Sequence, residues 1–322
     1  MPNPQMLIQE RLAHNSWGLL GNQGYVLGVD LGGYGLRAAL VNLQTHTYVS
    51  VHTAVQGTEP QRIVSDALGL ARGLLTDAGL TQDRLVRIGI GFGGPVDPWG
   101  GTVRLSPRMG GWEDFALKDY FENAFDAVTL VDNDANLIAL AEATFGAGQG
   151  CKNLFYLHLS SGVGGGMVLD GRLYRSASGM AGEIGHLVVR RGWDAQARPL
   201  TLENLVSISG LLQAAQELGL KTDNLNDLFQ AESLGQPVVH EATDLLATCL
   251  AQVVALLDPQ IIVLGGIVVR IGGESFVQAI GEKIQLSLAP QFARPVKVVS
   301  SVLGTDSVAI GALALALESL RD

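Results

Sequence analysis

The feature that most constrains this chain is a pattern it uses twice. After Tyr25 come three short apolar runs, YVLGVDL, LRAALVNL and YVSVHTAV, separated by glycine and polar clusters as in consecutive antiparallel strands. The three- and four-residue spacing of Ile63, Ala67, Leu68, Leu70, Ala71, Leu74 and Leu75 predicts an amphipathic helix over Pro60 to Gly79. VRIGIGFGG and VTLVD read as buried strands, and Ala135 to Phe145 as a helix. From residue 153 the opening repeats. NLFYLHLS, GGMVLDG and RLYR read as strands around a glycine-rich turn, and QIIVLGG and VKVVSSVL alternate with helical stretches near 237–257, 275–288 and 306–319. Two glycine-rich loops, at 32–35 and 162–166, thus take equivalent places in two βββαβα halves, so duplicated α/β lobes around a central cleft are expected. Each loop joins two strands and opens no helix, which argues against a dinucleotide-binding turn. Facing hairpin loops suit a nucleotide's phosphates, because successive backbone N–H groups form anion-binding nests and glycine lets the backbone approach.

Length and composition agree with two lobes. The chain has 322 residues, of which 47% are apolar and 16% charged, enough to bury large cores and too little charge for disorder. The pattern divides it into residues 1–24, an N-terminal arm or linker remnant, 25–134, a first lobe, and 135–322, a second lobe whose final helix can return to the first. Residues 1–23 are polar, carry no strong period and end in Gly-Asn-Gln-Gly, so they read as a flexible or loosely docked arm. A net charge of -10 opposes direct nucleic-acid binding, which needs clustered Lys and Arg. Cys151 and Cys249 lie far apart in apolar surroundings, as reduced thiols do. With no long apolar span and no leader pattern, a cytoplasmic protein that engages no membrane is expected.

Several polar residues admit two readings. Asn133-Asp134 follows a strand and begins a helix, which suits either a helix cap or a carboxylate facing a cleft. Glu183 and His186, three apart, lie on one side of a helical turn, as a surface pair, a metal site or a polar ligand contact.

The run SSGVGGGMVLDGRLY from Ser160, continuing through Gly179-Met-Ala-Gly-Glu-Ile-Gly-His186, resembles the signature of the ROK family of repressors, open reading frames and sugar kinases. Val29-Asp-Leu-Gly-Gly33, Gly94-Pro-Val-Asp97, Asp132-Asn-Asp-Ala-Asn136, Leu264-Gly-Gly266 and Leu303-Gly-Thr-Asp306 follow in the family's order, from Tyr25 to the C-terminus. The resemblance implies the actin-like ATPase fold shared with hexokinase and Hsp70, and glucokinase-like chemistry. It makes Asp134 the base that accepts a sugar hydroxyl's proton, and puts Asn133, Glu183, His186 and Glu203 on the sugar. It also gives ATP to Asp30, Gly32, Gly33, Tyr34, Ser161, Gly162, Gly164, Gly265 and Gly266, with Asp30 supporting Mg2+. By the same analogy the partners are a small-molecule sugar and other copies of the chain, as a homodimer or homotetramer.

The sequence also departs from the family's pattern. The loop from Arg190 to Glu203 lacks the three cysteines of the family's zinc motif, so no zinc is expected there, and Trp193 is a candidate to order the loop by packing inward. Tyr34 replaces a threonine whose hydroxyl faces ATP phosphate, and Gly35 stands where lysine is common. Arg108 replaces an asparagine in Ser106-Pro-Arg-Met-Gly-Gly-Trp112, placing an arginine either toward an anionic or N-acylated sugar or on the surface. Residues 11–29 resemble the linker that precedes this domain in ROK repressors, whose helix-turn-helix the first 24 residues are too few to supply. Two functions follow as expectations: an ATP-dependent sugar kinase, or a non-catalytic, sugar-responsive protein of regulator descent that has lost its DNA-binding domain.

Overall fold

The computed structural model describes residues 4–14, 24–32, 35–55, 57–81, 84–106, 109–190, 199–288 and 295–321. The chain forms two compact units, one of Met1–Gln149, Leu173–Ala181 and Val302–Asp322, the other of Gly150–Arg172 and Gly182–Ser301.

The first unit contains α1 (Pro4–His14), β1 (Tyr25–Gly32), β2 (Gly35–Asn42), β3 (Tyr48–Thr53), α2 (Pro60–Asp77), β4 (Leu85–Phe92), a small hairpin of β5 (Val96–Asp97) and β6 (Thr102–Val103), α3 (Leu117–Phe125), β7 (Thr129–Asn133) and α4 (Asp134–Thr144). The second carries β8 (Leu154–Leu159), β9 (Val163–Leu169), β10 (Arg172–Leu173), β11 (Val188–Arg190), β12 (Leu200–Thr201), α5 (Leu202–Val206), α6 (Ile208–Glu217), α7 (Leu225–Gln230), α8 (Gly235–Leu257), β13 (Ile261–Gly265), α9 (Ile267–Ser287) and β14 (Lys297–Ser300). The last helix, α10 (Ser307–Glu318), belongs to the first unit.

The duplication is real at the level of topology. One sheet runs β3-β2-β1-β4-β7 and the other β10-β9-β8-β13-β14, the same order counted within each half. In both, the first strand is antiparallel to the second, and the later strands pair in parallel.

In the first unit, side chains alternate between two cores across β1. Leu27, Val29 and Leu31 join α2 and the ring of Trp112, while Val26 faces α4 and α10. Helix α10 lies nearly backbone to backbone on the sheet. A methyl on Gly28 would come within 2.3 Å of the Ala309 carbonyl, and one on Gly89 within 1.9 Å of the Ala312 carbonyl. That is why a run of small residues, Ala309, Gly311, Ala312, Ala314 and Ala316, occupies a helix buried along almost its whole length.

Three expectations change here. Pro4–His14 is a helix, not a loose arm, because Ile8 and Leu12, one turn apart, are fully buried in the core formed with α4 and α10. The second glycine-rich stretch is mostly strand. The turn is Ser160–Gly162, and Gly164, Gly165 and Gly166 lie in β9, where a methyl on Gly165 would meet the Phe155 ring at 2.8 Å and the Gly182 carbonyl at 3.0 Å. Helix α9 also starts earlier than its periodicity suggests, at Ile267, and is kinked at Gly273, whose φ is 67°. Among the described residues, one helix, α8, is long and apolar enough to cross a membrane, and its buried Leu246, Ala247 and Leu250 mark it as a core helix of the second unit.

Candidate functional site

In the first unit the chemistry gathers where β1 ends. Asp30 is 4% exposed, and burial pushes its carboxyl up to about 7, against the pull of Arg37 and with a further push from Asp134. Its Oδ1 has no hydrogen-bond partner among the described residues, and Oδ2 lies 3.7 Å from Arg37 Nη1. Gly32 is required beside it, because a methyl there would sit 2.8 Å from Oδ1. Arg37 also reaches Asp306, Nε to Oδ1 at 3.2 Å, and Ser50 Oγ donates to Asp306 Oδ2 at 3.2 Å. Composition and spacing alone single out neither Arg37 nor Asp306. A usable signal existed: a hairpin closing at Gly32 and Gly35 sets Asp30 directly opposite Arg37, on the same face of the sheet.

Asn133 and Asp134 stand at the junction of β7 and α4. Asn133 is the helix cap, its Oδ1 accepting from Ala135 N at 2.9 Å and its Nδ2 donating to the Gly94 carbonyl at 3.0 Å. The cap reading of this residue therefore holds, and it ties Gly94-Pro-Val-Asp97 to the Asn133-Asp134 pair. Asp134 Oδ1 accepts from Ala135 N at 2.8 Å, and its Oδ2 faces Gly93, where a methyl would make ordinary contact at 3.5 Å.

Beneath this pair lies a buried ion pair that sequence reasoning missed, since 43 residues separate its partners. Asp132 is 1% exposed. It accepts from Arg175 Nε at 2.7 Å, from Asn136 Nδ2 at 3.0 Å and from the Asn133 N–H at 2.9 Å. Arg175 lies over the exposed ring of Trp99, 5.9 Å from its centroid. The carboxylate thus braces the backbone that carries Asn133 and Asp134.

The second unit arranges its residues differently. Ser160–Gly162 forms a tight turn, Ser160 N donating to the Gly162 carbonyl at 3.0 Å, and the Ser160 carbonyl accepts from Ile208 N at 2.9 Å. Glu203, in the first turn of α5, accepts from the Val163 N–H at 2.8 Å, so one of its oxygens holds the glycine turn. Glu183 and His186 share a single 3₁₀ turn with Oε2 3.9 Å from Nε2, and the His186 side chain is exposed. Gly265 and Gly266 close β13 before α9. Gly266 has φ 97°, and a methyl there would meet the Leu159 carbonyl at 2.1 Å. The N–H groups that open α9 follow it, a place suited to anions. Gly33, Tyr34, Arg108 and Trp193 lie outside the described residues.

The ROK family profile matches residues 26–319. The chain belongs to the ROK family. This ROK protein is 29% identical to a glucokinase of Halalkalibacterium halodurans, over 89% of its own length and 93% of the relative's. It is 26% identical to a xylose repressor of Caldicellulosiruptor bescii, over 92% of its length and 79% of the repressor's. A ROK hexokinase from Thermus thermophilus superposes with a TM-score of 0.81 at 30% identity, covering 92% of this chain and 99% of that one. A ROK glucokinase from Streptomyces griseus, solved with glucose and AMPPNP, gives 0.69 at 25% identity, covering 91% and 99%. The fold is the actin-like ATPase fold of these ROK kinases.

Proposed function

We propose that this ROK protein phosphorylates a hexose or hexose derivative with ATP, and that Asp134 is the general base. The observation that supports this most is in the first unit. A half-buried carboxylate, braced at the head of α4, belongs to the same unit as Asp30, whose buried Oδ1 has no hydrogen-bond partner among the described residues. A sugar hydroxyl is a weak nucleophile. Asp134 would accept its proton as its oxygen attacks the terminal phosphorus in line, and ADP departs. Asn133 keeps Asp134 at the helix start, and Glu183, His186 and Glu203 are assigned to hydroxyls of the sugar. The Oδ1 of Asp30, without a hydrogen-bond partner among the described residues, fits a hydrated magnesium ion, which when bound would neutralise the charge of the triphosphate. The Ser160–Gly162 turn and Gly265-Gly266 are assigned to the nucleotide.

A second reading, a non-catalytic sugar-responsive protein, draws on the similarity to xylose repressors and on Tyr34, a bulky phenol where a kinase carries threonine. An ADP-release assay over hexoses, amino sugars and N-acyl hexosamines separates the two. Asp134→Asn should bind sugar like the wild type and turn over about a thousandfold more slowly. Wild-type rates in that variant would remove Asp134 from the mechanism. Calorimetry of ATP on Tyr34→Thr addresses the phenol. We expect about tenfold tighter binding, roughly 1.4 kcal/mol, if the ring crowds the phosphate loop. Tight wild-type binding that the variant loses would make Tyr34 a nucleotide contact.

A further inference from the structure

Asp30 and Arg37 form a cross-strand pair at the end of the β1–β2 hairpin, yet neither residue is satisfied by it. Arg37 divides its guanidinium between Asp30 at 3.7 Å and Asp306 at 3.2 Å, and its buried Nε makes no aligned hydrogen bond. Among the described residues Asp30 Oδ1 has no side-chain partner, in a residue that is 4% exposed, and the Gly32 backbone N–H is the one donor that lowers its carboxyl. Asp134 is close enough to add its own charge to that of Asp30. Two carboxylates, Asp30 and Asp306, therefore share one guanidinium, and a guanidinium keeps its charge at every physiological pH.

A bare divalent ion approaching Asp30 meets this fixed positive charge a few ångströms away, in surroundings less screened than bulk water. An ion carried by a polyphosphate does not meet the same penalty, because the phosphate charge offsets the repulsion and is itself attracted to Arg37. We infer that Arg37 is the resident counter-cation of this carboxylate group and makes it discriminate against bare divalent ions in favour of ions bound to a polyphosphate. Arg37 is then a positioning residue that sets the order of arrival: the metal enters with its nucleotide and does not wait in the site.

This inference rests on the reading of Asp30 as the group that faces the divalent ion, and the test keeps the two apart. Binding of Mn2+ alone, and of Mn2+ with inorganic triphosphate, is measured by calorimetry on the intact chain without sugar. Arg37→Met should bind bare Mn2+ about tenfold more tightly than wild type and bind the triphosphate complex more weakly. Arg37→Lys, which keeps the charge, should stay near wild type. Asp306→Asn should shift the other way, binding bare Mn2+ more weakly, since one carboxylate is gone and Arg37 can settle fully on Asp30. A folded Arg37→Met whose affinity for bare Mn2+ is unchanged or lower overturns the inference. Should that variant fail to fold, an Asp306→Asn that binds bare Mn2+ as tightly as wild type or tighter overturns it equally. Asp30→Asn tests the underlying reading by itself: wild-type Mn2+ affinity there shows that Asp30 does not face the ion, whatever Arg37 does.

Discussion

The two units share a strand order and differ in how each treats the turn after its first strand. In the first unit that strand ends in a buried acid, with Arg37 and Asp306 around it and one carboxylate oxygen without a hydrogen-bond partner among the described residues. In the second, the corresponding turn is neutral, and its Val163 N–H is held by Glu203 from α5. One half has stored unbalanced charge. The other has spent its nearest acid on the backbone. Burial of an ion with incomplete pairing costs stability and suits a group kept for a ligand, whereas a satisfied backbone turn stabilises the fold. Duplication thus preserved the sheet, while the two turns diverged in electrostatics.

The sharpest way to expose this difference is to remove the charge that the first unit stores. Asp30 titrates near 7 in the folded chain against 3.8 for an unperturbed carboxyl. Between these values the folded state holds a proton that the unfolded state has released. The stability this confers is present below the lower value and is lost as pH rises through the upper one. Asp30→Asn has no such loss. Measured by chemical denaturation without metal, the variant should gain on wild type by roughly 2 to 3 kcal/mol between pH 5 and pH 8. A constant difference across that range would mean that Asp30 is not the stored charge.

Arg175 offers a smaller, opposite effect in the same unit. Its partner Asp132 is 1% exposed, so truncation of Arg175 leaves a buried carboxylate with only amide donors. Arg175→Met should cost about 2 kcal/mol, less than for a fully buried pair because the arginine is partly exposed. Adding Asp132→Asn should recover much of the loss, since the stranded charge is then removed. If the ion pair also braces Asp134, kcat should fall in Arg175→Met while KM for sugar changes little, and the pH profile of kcat should move with it. An unchanged profile would confine Arg175 to stability.

The repeated strand and glycine pattern made the two sheets and their order legible, because alternation and turn chemistry are local signals. The family motifs marked Asn133, Asp134, Glu183, His186 and Glu203 by position, as legible candidates for the site. Their partners were less so. Helix α1 has few apolar residues and no strong period, and burial of Ile8 and Leu12, with Leu7 beside them, against α4 and α10 gives it order. The Asp132–Arg175 pair depends on a segment, Leu173–Ala181, that returns to the first unit, which no local period announces. Gly164 through Gly166 misled in the other direction: all three lie in a strand, and at Gly165 the missing side chain serves close packing, not the opening of a loop.

The smallest expected effect belongs to the second unit and separates two roles of one residue. Glu203 is matched by family resemblance to a sugar contact, yet one of its oxygens accepts from the Val163 N–H at 2.8 Å. Glu203→Ala removes that acceptor and should cost about 1 to 2 kcal/mol, the usual loss when a charge-assisted hydrogen bond to backbone is deleted. For a chain of this length that corresponds to a fall in Tm of about 2 to 4 °C per kcal/mol. Glu203→Gln keeps a carbonyl oxygen for Val163 and should melt near wild type. Because an amide cannot replace both carboxylate oxygens as acceptors, the same variant should still lose sugar affinity if the second oxygen meets a hydroxyl. Alanine and glutamine variants with equal Tm would deny Glu203 its hold on the turn. A glutamine variant with wild-type sugar affinity would deny it the sugar, and the neutral turn of the second unit would then have no acid assigned to the ligand from α5.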